Sequence, residues 1–173
     1  SLLIKKPGTK AWSGVTLPWM SIGYSLRLTP IHMLTFYNAI ANNGKMVKPK
    51  FIREVRAWNN TIESFESEII NPKICSDGTI KKLKALLTNV VKRGTGAKLY
   101  SKDFSMAGKT GTAQVNYKDK SKLFYASSFV GYFPADQPKY SCIVVVHKPN
   151  VAAGYYGADV AGPVFKRIAQ KIY

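Results

Sequence analysis

The alternation of apolar and polar positions divides the chain into a helical first part and a strand-rich second part. Thr29-Pro30 opens a predicted helix, with Thr29 as cap and Pro30 at a first position that has no N–H to lose. Ile31, Leu34, Tyr37, Ile40 and Ala41 then fall on one face, and Asn42-Asn43-Gly44 supplies a left-handed stop. Met46 to Trp58 reads as extended, with a turn at Asn59-Asn60 and a return over Thr61 to Ile70 as an antiparallel ribbon. A second helix is expected from Ser76 or Asp77, carrying Ile80, Leu83, Leu87, Val90 and Val91 at helical spacing and closed by Gly94. Three runs rich in aromatic and β-branched residues follow, Phe104 to Val115, Phe124 to Phe133 and Tyr140 to Lys148. Their short connections predict an antiparallel meander. Val160, Val164, Ile168 and Ile172 recur every four residues in a last amphipathic helix, with Pro163 in its first turn, expected to lie across the meander. Ser1 to Gly23 has no clear period. The fold class is α+β: a three-stranded antiparallel meander packed with helices, in one domain.

Composition supports a folded unit: 173 residues, 46% hydrophobic and 12% aromatic, can bury a core. No apolar run approaches the roughly 20 residues that span a bilayer, and Ser1 to Pro7 lacks the features of a signal peptide. Any targeting segment is expected to lie outside this sequence. Twenty-six basic against nine acidic residues give a net charge of +17, a field that favours polyanions, acidic wall material or anionic membrane surfaces. The densest cluster, Lys118 to Lys122, reads as a solvated loop rather than a nucleic-acid patch. Cys75 and Cys142 lack partners at metal-site spacing, and Cys142 sits in an apolar run as an inert thiol. His32 and His147 are isolated and read as packing or surface residues. No metal or cofactor is expected.

The chemistry concentrates in Ala107-Gly108-Lys109-Thr110-Gly111-Thr112-Ala113-Gln114. Glycine weakens a strand interior and marks a place where something approaches the backbone. An ammonium and two hydroxyls at Lys109, Thr110 and Thr112 suit a carboxylate, and N–H groups beside Gly111 suit a developing oxyanion. A phosphate loop is excluded because its first glycine would fall at Asp103 and a strand follows. Gly94-Thr95-Gly96 fails as a dinucleotide fingerprint because position 99 is Leu99.

Lys109-Thr110-Gly111 gains weight from its company. Ser21 to Pro30 followed by Tyr37 to Gly44 resembles the glycine-to-Thr-Pro segment and helix of class B penicillin-binding proteins. Val91 to Ala97 resembles that family's Gly-Thr-Gly loop, Ala126 to Pro134 its strand after Lys-Thr-Gly, and Gly157 to Arg167 its last helix. Trp12 to Trp19 is most similar to the division-specific transpeptidases. The resemblance runs from about Trp12 to the C-terminus in the family's order.

The resemblance implies the C-terminal part of the penicillin-binding/serine β-lactamase-like transpeptidase fold, spanning 1–173. It implies a peptidoglycan D,D-transpeptidase, in which a serine attacks the D-Ala-D-Ala end of a stem peptide and the acyl group passes to a neighbouring amine. Lys109 would supply positive potential and organise proton-relay hydrogen bonds, and Thr110 and Thr112 would meet the donor or β-lactam carboxylate. The N–H of Thr112 would be one oxyanion donor, and Gly111 would leave room for the ligand backbone. Division proteins are implied as partners, the outer face of the cytoplasmic membrane as the location, and nucleic acid is not expected. The family also requires Ser-x-x-Lys and Ser-x-Asn, and neither occurs in this sequence. This predicts a piece of the domain that is inactive alone. Two alternatives stay open: a basic module that docks on acidic polymer or nucleic acid, and a β-lactam sensor or β-lactamase relative.

Overall fold

The computed structural model describes residues 3–116, 119 and 121–172. In chain order its elements are β1 (Leu3–Ile4), α1 (Thr16–Ser21), β2 (Leu26–Arg27), α2 (Pro30–Ala41), β3 (Met46–Val47), β4 (Glu54–Ala57), β5 (Asn60–Ser64) and β6 (Ile69–Asn71). Then come α3 (Asp77–Arg93), a single 3-10 turn at Ala97–Leu99, β7 (Ala107–Val115), β8 (Phe124–Phe133), β9 (Tyr140–His147), α4 (Gly157–Val160) and α5 (Gly162–Ile172).

The centre is the antiparallel sheet β7-β8-β9, paired without slip from Ala107↔Tyr132 to Val115↔Phe124 and from Ala126↔His147 to Phe133↔Tyr140. Side chains alternate across a strand, so each sheet face has its own core. Phe129 and Phe133 face α5, where Phe165 meets their rings edge-on at 4.8 and 5.7 Å, and Val91, Leu99 and Met106 complete the cluster. On the other face, Ala107 and Tyr132 pack against Ile40 and Ala41 of α2 and Leu87 of α3. The helix α3 thus contributes to both cores and anchors the start of β7. The result is a three-layer arrangement of α5, sheet and α2, as the α+β reading expects.

The predicted helix boundaries hold for α2 and α3, with differences in how they are capped. Ser76 Oγ accepts the N–H of Thr79 at 3.2 Å, a true side-chain cap. Thr29 occupies the cap position but its hydroxyl bonds His32 Nδ1 at 2.6 Å, and no side-chain cap forms. Asn43 and Gly44 take φ of 54° and 90°, the left-handed stop.

Three expectations need correction. The turn of the ribbon is Trp58-Asn59, with Ala57 paired to Asn60, because the left-handed residue is Trp58 at φ 56°. The ribbon is also interrupted: β3 pairs β6, and β4 pairs β5 as a separate two-stranded piece. In the last helical segment the buried stripe is Ala161, Phe165 and Ala169, one residue beyond Val160, Val164 and Ile168, and Val164 and Ile172 are exposed. The segment breaks between α4 and α5, where Gly162 packs so closely that a Cβ would sit 2.8 Å from Leu99 Cδ2.

Two pieces of the N-terminal part carried no sequence signal. β1 pairs antiparallel with β2, and α1 forms with Thr16 Oγ1 accepting the N–H of Ser13 at 2.9 Å. Val15, Leu17, Ile22, Leu28 and Phe36 leave an exposed apolar face there. Lys118 and Lys120 of the basic cluster lie outside the described residues; Lys122 pairs with Asp119 at 3.3 Å.

Candidate active site

The residues singled out by the glycine pattern lie on β7, the edge strand of the central sheet. An edge strand turns alternate N–H and C=O groups away from its neighbour, and no strand among the described residues pairs with the outer edge of Lys109 to Thr112. Gly111 packs closely on its β8 partner, where a Cβ would sit 2.6 Å from Ser128 Oγ.

Lys109 and Thr110 are brought together. The exposed Lys109 ammonium curls over the strand to donate to the Thr110 carbonyl at 2.9 Å and to Thr110 Oγ1 at 3.3 Å. Thr110 Oγ1 lies 3.0 Å from Thr95 Oγ1, in the Gly-Thr-Gly loop that follows α3. Two hydroxyls joined by one hydrogen bond still hold one proton to donate outward, which suits a carboxylate. Thr112 is held separately, accepting the N–H of Gly157 at 3.0 Å, so its own hydroxyl proton also stays available. Gly157 must be glycine for this contact, since a Cβ would collide with the Ser128 carbonyl and lie 2.6 Å from the Gly111 carbonyl. Under it, the fully buried Ser127 hydroxyl donates to the Tyr155 carbonyl and ties the loop before α4 to β8.

Beyond Thr112 the strand borders two features that the sequence reading missed. Tyr125 stacks on Tyr155 at 4.2 Å, Tyr155 sits 4.5 Å from Tyr156, and Gln114 Nε2 donates to Tyr125 Oη at 3.3 Å. The hydrogen bond from Tyr155 to Tyr156, and the charge Tyr156 would carry, push the Tyr155 phenol up to about 12. The signal available was Tyr155-Tyr156 directly before a glycine that opens a helix. The second feature is a groove of about 630 Å³ between residues 22–27 and the end of β7 with the loop after it, where Asn116, Asp119 and Lys122 also line it. Arg27 gives it a cation, and Tyr24, edge-on to Trp19 at 5.3 Å, an aromatic wall.

The chemistry this arrangement offers is recognition of an extended chain ending in a carboxylate, laid along an open strand edge. Cys142 is not part of it; burial pushes its thiol up, as expected of an inert core residue. Among the described residues no group of histidine, cysteine and acidic side chains could hold a metal ion.

A central sheet with this edge strand, covered by a C-terminal helix on one face and α2 on the other, defines a class. Residues 2–170 match the penicillin binding protein transpeptidase domain, and the chain belongs to that family. Peptidoglycan D,D-transpeptidase FtsI of Buchnera aphidicola is 33% identical over 165 residues, which are 94% of this chain and 27% of that protein. Penicillin-binding protein PbpB of Mycolicibacterium smegmatis is 31% identical, over 94% of this chain and 26% of its own length. The structure of penicillin-binding protein 3 from Mycobacterium tuberculosis, complexed with aztreonam, superposes with a TM-score of 0.80 at 30% identity, covering 99% of this chain and 40% of that one. The chain spans 26–37% of the length of three of the curated relatives it matches.

Proposed function

We propose that this chain is the Lys-Thr-Gly part of a serine D,D-transpeptidase that cross-links peptidoglycan during division. The observation that carries the reading is the joint placement of Lys109, Thr110 and Thr112 on an open strand edge, with Thr110 held by Thr95 and Thr112 by Gly157. In this reading a stem peptide ending in D-Ala-D-Ala lies along β7. Its terminal carboxylate takes the Thr112 hydroxyl proton and the one left free by the Thr95–Thr110 pair, and the Lys109 ammonium adds positive potential. The Thr112 N–H is one oxyanion donor, and Gly111 lets the substrate backbone close on the strand.

In this reading the nucleophile comes from another part of the protein. Neither Ser-x-x-Lys nor Ser-x-Asn occurs in the sequence, so the chain alone forms no acyl-enzyme. The whole protein would take β-lactams as imitations of the donor, act at the outer face of the cytoplasmic membrane and meet other division proteins. No helix among the described residues is long and apolar enough to cross a membrane, so an anchor would come from elsewhere.

A chimera tests this. Replacing the matching segment of Mycobacterium tuberculosis penicillin-binding protein 3 with this chain should give a protein labelled by a fluorescent β-lactam. Lys109→Ala in the chimera should slow acylation about a hundredfold, the scale of losing a preorganised charge or donor. A folded chimera labelled equally fast with Lys109→Ala would contradict the assignment.

A further inference from the structure

The positive charge of this chain is unevenly distributed. Residues 46–71 carry Lys48, Lys50, Arg53 and Arg56 against Glu54, Glu63, Glu66 and Glu68, four of each sign. The other twenty-two basic and five acidic side chains hold the entire +17. The neutral segment contains the β4–β5 ribbon, and it is also conspicuously apolar on its surface: Trp58 is 99% exposed, Phe51 85% and Ile52 57%. At about 150–250 Å² per aromatic side chain, Trp58 and Phe51 alone leave of the order of 350 Å² in water. A standard interface needs about 800 Å² per partner, of which these two side chains could supply a substantial part. A two-stranded ribbon with neither face covered is at best marginally stable, which argues for a covering partner.

The sequence of β4 identifies the partner chemistry. Val55 pairs with Glu63 and Arg56 with Thr61, so Ile62 is an extra residue that bulges β5 and blunts its edge. β4 itself carries no extra residue. Its residues Glu54-Val55-Arg56 are self-complementary in antiparallel pairing: a twofold axis through Val55 sets each Glu54 opposite Arg56 of the second copy. Ile52 and Trp58, just outside the two ends of β4, add exposed apolar side chains on both flanks. Within one copy Arg56 already reaches Glu54 at 2.8 Å, so both charges are positioned on the strand for the exchange. We infer that β4 is a self-association edge through which two copies of this chain pair antiparallel about Val55 as an isologous dimer.

Charge also sets this edge apart from the other exposed apolar surface. No acidic residue precedes Glu54, so the face formed by Val15, Leu17, Ile22, Leu28 and Phe36 lies on a segment whose only charges are cations. Two copies meeting there would bring like charges together. The neutral ribbon is where two strongly basic bodies can join with the least repulsion.

Sedimentation velocity of this chain over a concentration series tests the inference. The wild-type chain should show a monomer–dimer equilibrium. Arg56→Glu sets Glu54 against glutamate twice and should weaken the dimer about tenfold or more, from the size of cross-strand charge pairs. Trp58→Ser should weaken it as well, and Leu17→Ser should leave it unchanged. The double variant E54R/R56E restores opposite charges across the twofold and should recover the dimer. Circular dichroism confirms that each variant is folded. A chain that stays monomeric at all concentrations, a dimer indifferent to Arg56→Glu, or a double variant no better than the single one would overturn the inference.

Discussion

The β7-β8-β9 sheet and the β4–β5 ribbon are both antiparallel, yet they end in opposite environments. The sheet is paired residue for residue and covered on both faces, by Phe165 from α5 and by Ile40 and Ala41 from α2. The ribbon carries a bulge and exposes every residue of β5. Strand pattern alone therefore does not make a rigid strand; cover on both faces does. The site proposed to hold a carboxylate and an oxyanion within a few tenths of an ångström would need that cover, and its residues sit on the sheet.

The contrast can be broken from the sheet side first. Phe165→Ala removes the ring between Phe129 and Phe133 and should cost about 3–5 kcal/mol in chemical denaturation, the range for a fully buried aromatic. Gly157→Ala drives a Cβ into the backbone of β7 and β8 and should cost about 1–3 kcal/mol, shifting the amide resonances of Gly111 and Thr112. A smaller effect belongs to Tyr132, whose hydroxyl is buried without a hydrogen-bond partner and whose phenol burial pushes up to about 12. The neutral form is favoured in the folded state, so its stabilisation is complete below pH 10 and is lost as pH rises toward 12. Denaturation curves for Tyr132→Phe and wild type should separate by about 1–2 kcal/mol over that window, with the variant the more stable. The smallest change lies on the ribbon, where Trp58→Ser should alter monomer stability by less than about 0.5 kcal/mol. A larger loss would mean that the ribbon supports the body after all.

What the sequence revealed follows the same division. α2, α3 and the three sheet strands were legible because proline, Asn-Asn-Gly, a serine cap and aromatic-rich runs fix them locally. β1, α1 and β2 were not, since they depend on pairing across 22 positions, Ile4 with Leu26, and carry no period of their own. The ribbon turn was misplaced by one residue because tryptophan seldom adopts a left-handed conformation, and an Asn-Asn pair next to it was the better local candidate. At the site, Lys109 to Thr112 stood out through the glycines. Thr95 bonding Thr110 and Gly157 bonding Thr112 are contacts over 15 and 45 residues, which no local pattern records. The tyrosine cluster was hidden for the same reason, with Tyr125 on β8 and Tyr155 and Tyr156 in the loop before α4.

The central claim is that this chain holds the carboxylate and oxyanion side of an acyl-transfer site without its nucleophile. The most direct test is the intact mass of the chain before and after incubation with excess benzylpenicillin, beside a full-length penicillin-binding relative as positive control. The account predicts an unchanged mass for this chain and a one-drug adduct on the relative. A stoichiometric adduct on this chain would contradict it, and the modified residue would identify a nucleophile that the present assignment lacks.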